Sequence, residues 1–169
     1  MGFYVGALSH QDFIDIPTQP WTVRLENSFM AALNLTYVVQ RFESLPIDFE
    51  IDGVLAKRFG NDNEWEAAVL PMVRWKAFPW NSYLYTNFRL GLVGASYVSD
   101  ISPWELKNSG NRTGSRFLNF LVPELTFSSG PDAKWEAFLR VHHRSGAWGT
   151  INGVYGGSNY VSVGYRQGF

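Results

Sequence analysis

From Glu64 to Ala77 the chain alternates without a break. Odd positions carry Trp65, Ala67, Val69, Pro71, Val73, Trp75 and Ala77, while Glu64, Glu66, Arg74 and Lys76 all fall on even ones. A period of two with every charge on one parity predicts a β-strand whose two faces meet different surroundings. Trp65 and Trp75 bracket the apolar face ten residues apart, about the length of a tilted strand that crosses a bilayer.

The same separation recurs elsewhere. Leu45 to Phe59 sets Ile47, Phe49 and Ile51 against Asp48, Glu50, Asp52 and Arg58. Trp21 to Val39 sets Val23, Leu25, Phe29, Leu33, Leu35 and Tyr37 against Arg24, Glu26, Ser28, Asn34 and Thr36. Ser82 to Tyr97 opposes Leu84, Phe88, Leu90 and Leu92 to Asn87, Arg89 and Gly91. Ser115 to Phe127 is ambiguous, because Leu118, Phe120 and Val122 share a face with Arg116 and Glu124. Trp135, Ala137, Leu139 and Val141 oppose Glu136, Phe138, Arg140 and His142, and the final run opposes Val161, Val163, Tyr165 and Phe169 to Ser162, Gly164 and Arg166. With Phe3 to Leu8 the count is eight.

Turn signals separate these runs, and short connections alternate with mostly long ones: Ser9 to Pro20, Ser99 to Gly114 and Gly146 to Gly157 on the long side, with Gly60 to Asn63 its one short member. The expectation is a single all-β domain over residues 1–169, an eight-stranded antiparallel transmembrane β-barrel of the outer-membrane type. A soluble barrel would also alternate, but with its apolar face turned inward. Here the uncharged face carries repeated Trp, Phe and Leu, and the opposite face carries acids and bases able to pair inside a lumen too narrow for much else. A barrel of this kind must be exported, so the numbering is expected to begin after a removed leader. The terminal Phe169 resembles the assembly signal on the last strand of bacterial outer-membrane proteins.

Composition narrows the classes further. Aromatic residues are 17% and charged residues 17% of the 169, with a mean hydropathy of -0.13; a typical soluble domain carries about 25% charge. The longest apolar run is far short of a membrane-crossing helix. A net charge of -1 argues against nucleic acid as a partner. The absence of cysteine removes thiolate nucleophiles and disulfides, and three histidines with no ligand spacing give no metal motif, so no cofactor is expected.

Chemistry is suggested where polar residues take the apolar parity. On the seventh strand the row Trp135, Ala137, Leu139, Val141 continues into His143 and Ser145, at the long-loop end. Residues two apart on a strand project to the same side, about 7 Å apart at Cα, close enough for an imidazole to meet a hydroxyl. The returning strand carries Asn159 on the same parity, across the hairpin from both. A histidine base beside a serine is the core of acyl-transfer machinery. The same three residues also suit a plain interfacial strand end, with Asn159 serving the turn after Gly156 and Gly157. His142 has the lumen parity and reads as part of an internal network. Asn119 shares the lipid-facing parity and could meet a headgroup or face inward.

The stretch His143-Arg144-Ser145-Gly146-Ala147, on an eight-stranded barrel of this length, resembles the PagL-type lipid A 3-O-deacylases of Gram-negative outer membranes. The resemblance implies hydrolysis of an ester-linked acyl chain, with Ser145 as nucleophile, His143 as base and the Gly146 amide as an oxyanion donor. Its implied partners are lipid A, lipopolysaccharide and outer-membrane lipids, and its implied location is the outer membrane. The sequence departs from that family in two places. No carboxylate follows Glu136, so Asn159 occupies the neighbourhood of the family's glutamate, and Gly146 stands where asparagine tends to follow the serine. The alternative is an inactive barrel that keeps this scaffold as a structural or assembly partner; a homodimer or a larger membrane complex stays open.

Overall fold

The computed structural model describes residues 1–110 and 112–168, so Phe169 lies outside the described residues. Eight antiparallel strands follow one another in order and close into a barrel: β1 (Gly2–Ser9), β2 (Leu25–Arg41), β3 (Ile47–Gly60), β4 (Trp65–Trp75), β5 (Tyr85–Val98), β6 (Phe117–Ser128), β7 (Trp135–Ser145) and β8 (Gly157–Gln167), with β1 paired to both β2 and β8. Closure leaves no free sheet edge. No helix among the described residues is long and apolar enough to cross a membrane.

The wall is arranged as the alternation requires. Trp65, Trp75, Trp135, Leu33, Leu55, Leu139 and Val163 are exposed on the outside, whereas Arg58, Arg89, Arg140, Arg144, Glu66 and Asp52 are fully buried inside. Burying an ion is tolerable only beside a partner, and the lumen provides one for each. Arg89 meets Glu50 at 2.6 Å and also Glu124, Arg140 bridges Asp52 at 2.6 Å and Glu124 at 2.5 Å, and Arg58 reaches Glu66 at 2.5 Å and Glu64 at 3.2 Å. Tyr4, Met30, Leu70, Met72, Phe120 and Phe138 pack in the same interior. This explains why Leu118, Phe120 and Val122 share a face with Glu124: the narrow lumen has an apolar layer as well as an ionic one.

In β5 the faces change over midway. Phe88 and Leu90 lie on the outer side, but Leu92 and Val93 both point outward, after which Ser96 and Val98 are buried and Tyr97 is exposed. Single-parity alternation through this strand therefore fails beyond Leu92. The register with β4 breaks between Val69 and Val73, opposite Pro71, which has no N–H to give the ladder. A bulge on the facing strand absorbs the mismatch. Asn119 closes it, donating from Nδ2 to the Leu92 carbonyl and accepting the Gly94 N–H at Oδ1, each at 3.2 Å.

The β1–β2 connection holds the short helix α1 (Asp15–Thr18) and a 3-10 turn (Pro20–Thr22), so β2 begins at Leu25 rather than at Trp21. The β5–β6 connection holds the helix α2 (Pro103–Asn108), capped by Ser102, whose Oγ accepts the Glu105 N–H at 3.3 Å. Glu105 is fully buried. Its carboxylate meets Arg144 and accepts from Arg58 at 3.4 Å and Ser158 at 2.9 Å, so α2 stoppers the long-loop mouth of the barrel.

Candidate active site

β7 and β8 pair with His143 opposite Asn159 and Ser145 opposite Gly157. All three polar side chains therefore stand on the outer wall at the long-loop end, as the parity predicts. His143 Nδ1 lies 2.6 Å from Asn159 Oδ1, and His143 Nε2 lies 2.9 Å from Ser145 Oγ.

The proton positions follow from the neighbours. Asn159 Nδ2 donates to the Gln11 carbonyl at 3.0 Å, which turns Oδ1 toward the imidazole. An amide oxygen only accepts, so Nδ1 carries the ring hydrogen. Nε2 of the neutral ring is left as an acceptor for the Ser145 hydroxyl, the arrangement in which an imidazole can take a serine proton.

Several contacts hold these groups still. Phe13, from the β1–β2 connection, packs against the His143 ring with centroids 4.6 Å apart. Arg144, between the two catalytic candidates in sequence, points into the lumen. There it binds Ser96 Oγ at 3.1 Å and the carbonyls of Ser115 and Arg116 at 2.6 and 2.8 Å, besides the Glu105 carboxylate. The inward residue thus fixes the backbone from which the two outward ones project. No sequence signal pointed to Phe13, Gln11 or Glu105, since each acts from a distant connection.

The oxyanion role expected of Gly146 is not available in this arrangement. Its N–H donates to the Gly156 carbonyl at 3.2 Å, and a Cβ at this position would sit 2.0 Å from the Val154 carbonyl oxygen. Glycine is required here by the close return of the hairpin. Ala147 and Trp148 follow in the left-handed region, with φ of 49° and 54°. Their N–H groups make no hydrogen bond among the described residues. His142, as expected, faces inward, 2.9 Å from Tyr4 Oη and 3.1 Å from Glu66 Oε1. Trp148 and Tyr155 are exposed on the β7–β8 connection.

A closed eight-stranded antiparallel wall, ionic within and apolar without, defines an outer-membrane-type barrel. The crystal structure of the outer membrane enzyme PagL has this fold: it superposes with a TM-score of 0.65 at 14% sequence identity, covering 99% of this chain and 98% of that one. No family model and no curated protein matches the sequence.

Proposed function

We propose that this barrel is an outer-membrane esterase that removes an ester-linked acyl chain from lipid A. The observation that carries the reading is the Asn159, His143, Ser145 relay on the apolar outer wall, at the end where the long connections gather. In an outer-membrane barrel the long connections are external. The relay would then lie level with the outer-leaflet headgroups, where the glycolipid's ester bonds are.

In the proposed reaction Ser145 Oγ passes its proton to His143 Nε2 and forms a bond to the ester carbonyl carbon. Collapse of the tetrahedral adduct breaks the bond to the sugar oxygen, which takes the proton from His143. Water then attacks the acyl-serine, giving one proton to His143, and the departing Oγ recovers it as the fatty acid leaves. The N–H groups of Ala147 and Trp148, two and three residues beyond Ser145 and without a hydrogen bond among the described residues, are the proposed donors to the negative oxygen in place of that of Gly146. No cofactor is needed.

A second reading is a catalytically silent barrel acting as a structural or assembly partner. What favours it is Asn159, whose neutral amide gives the imidazolium no countercharge. A serine-directed phosphonate separates the two. Labelling confined to Ser145 and lost in His143→Ala supports the esterase, and an unlabelled wild-type barrel supports the silent scaffold.

A further inference from the structure

The β1–β2 connection, residues 10–24, leaves the wall and returns to it through one neck. There the His10 N–H donates to the Arg24 carbonyl at 2.9 Å, and the Gln11 side chain ties the two limbs together. Gln11 Oε1 accepts the Arg24 N–H at 2.8 Å and the Ser9 hydroxyl at 3.1 Å, while Nε2 donates to the Thr22 carbonyl. Glutamine suits this place because its amide carries an acceptor and donors at the end of one flexible stem. An ionised glutamate has no hydrogen for Thr22, and methionine of similar length offers neither group.

The main-chain carbonyl of the same residue serves β8. Leu8 is opposite Tyr160, so Asn159 lies beside the point where β1 gives way to the connection, and its Nδ2 donates to the Gln11 carbonyl at 3.0 Å. An asparagine amide has two orientations of nearly the same shape. With Oδ1 toward His143 Nδ1, the ring hydrogen is on Nδ1, and Nε2 is free to accept the Ser145 proton. Turned over, Nδ2 would donate to Nδ1, the hydrogen would move to Nε2, and the ring would donate to Ser145 instead of taking its proton. The turned amide would also set its oxygen against that of the Gln11 carbonyl. A carboxylate presents an acceptor either way round and needs no such selection. An amide exchanged for the carboxylate of a serine-protease triad gives the wrong tautomer and costs about 10⁴-fold in kcat.

We infer that Gln11 is a positioning residue: its side chain latches the neck of the β1–β2 connection and so holds its own carbonyl where it selects the productive orientation of Asn159, and through it the Nδ1–H tautomer of His143. The inference rests on the esterase reading and explains how a neutral residue serves as the orienter there. Phe13, two residues further along the same connection, packs on the ring whose tautomer is selected.

Gln11→Ala and Gln11→Met both remove the latch, the second with the length of the side chain kept. Barrels labelled with 15N-histidine are compared by NMR at pH 8, above the usual range of imidazole titration, and the His143 signals are identified by their loss in His143→Ala. The wild type is expected in the Nδ1–H form. In both variants the ratio of the Nδ1–H to the Nε2–H form should fall about tenfold, the scale of one hydrogen bond. Labelling of Ser145 by a fluorophosphonate should slow in proportion to the Nδ1–H fraction that is left. Asn159→Asp removes the need for selection, so in that background Gln11→Ala should change the labelling rate by less than about twofold, the ordinary scatter of independent sites. A tautomer ratio that stays at the wild-type value in both variants overturns the assignment. Equal slowing in the Asn159 and Asp backgrounds also overturns it, because Gln11 would then be only a prop of the connection. A wild type that takes no probe at Ser145, even with its ring in the Nδ1–H form, fails the esterase reading, and Gln11's part in catalysis fails with it.

Discussion

Asn159 Oδ1 lies 2.6 Å from His143 Nδ1, and this contact decides which ring nitrogen holds the hydrogen. Asn159 can do so because its Nδ2 is itself committed to the Gln11 carbonyl. The relay is therefore correctly oriented for proton transfer but lacks the charge that would stabilise the protonated ring.

Charge at Asn159 should accordingly raise the rate. Asn159→Asp keeps the side-chain length that a 2.6 Å contact demands, and it replaces a neutral hydrogen bond by a charge-assisted one about twice as strong. An increase in kcat of about tenfold is expected from the added 1 to 1.5 kcal/mol. Asn159→Ala releases the ring and should lower kcat by about 10²-fold, the lower end of what a positioned base contributes. Steady-state hydrolysis of a long-chain ester by the three proteins checks the order Asp, Asn, Ala.

Glu105 joins the stopper helix α2 to Arg58 and Arg144 inside the lumen. Glu105→Gln would leave the fully buried Arg144 guanidinium without its carboxylate, while Arg58 keeps Glu66 and Glu64, and would cost about 3 kcal/mol. The barrel should unfold at lower urea concentration, with the midpoint read from tryptophan fluorescence. An unchanged midpoint would mean that α2 contributes little to closing the lumen.

The sequence carried the barrel itself because one wall meets two unlike surroundings, so most of the strands declare their faces by parity alone, while β6 is ambiguous because the lumen has an apolar layer of its own. β5 escaped this reading because its bulge turns Leu92 and Val93 to the same side, a local change caused by Pro71 on the neighbouring strand. The relay was legible for the same reason as the strands: His143, Ser145 and Asn159 are polar residues on the apolar parity, and hairpin register brings them together. What covers and braces them was not. Phe13 and Glu105 reach the site from connections with no periodicity, and whether the Gly146 amide is free depends on how closely the hairpin returns to it.

The outward indoles give a test of the surroundings of the wall. With Trp65, Trp75 and Trp135 all exposed on the outer face, reconstitution into vesicles of lipids brominated along their acyl chains should quench much of the tryptophan emission. A wall that faces water would keep its emission in brominated and ordinary vesicles alike.

The central claim is that the Ser145 hydroxyl, activated by His143, cleaves an ester of the glycolipid. Purified barrel is incubated with lipid A, and free 3-hydroxy fatty acid is measured by mass spectrometry for wild type and Ser145→Ala. Release by the wild type that falls on the order of 10³-fold or more in Ser145→Ala is the predicted result. Equal release by the two proteins, or none from either, would contradict it.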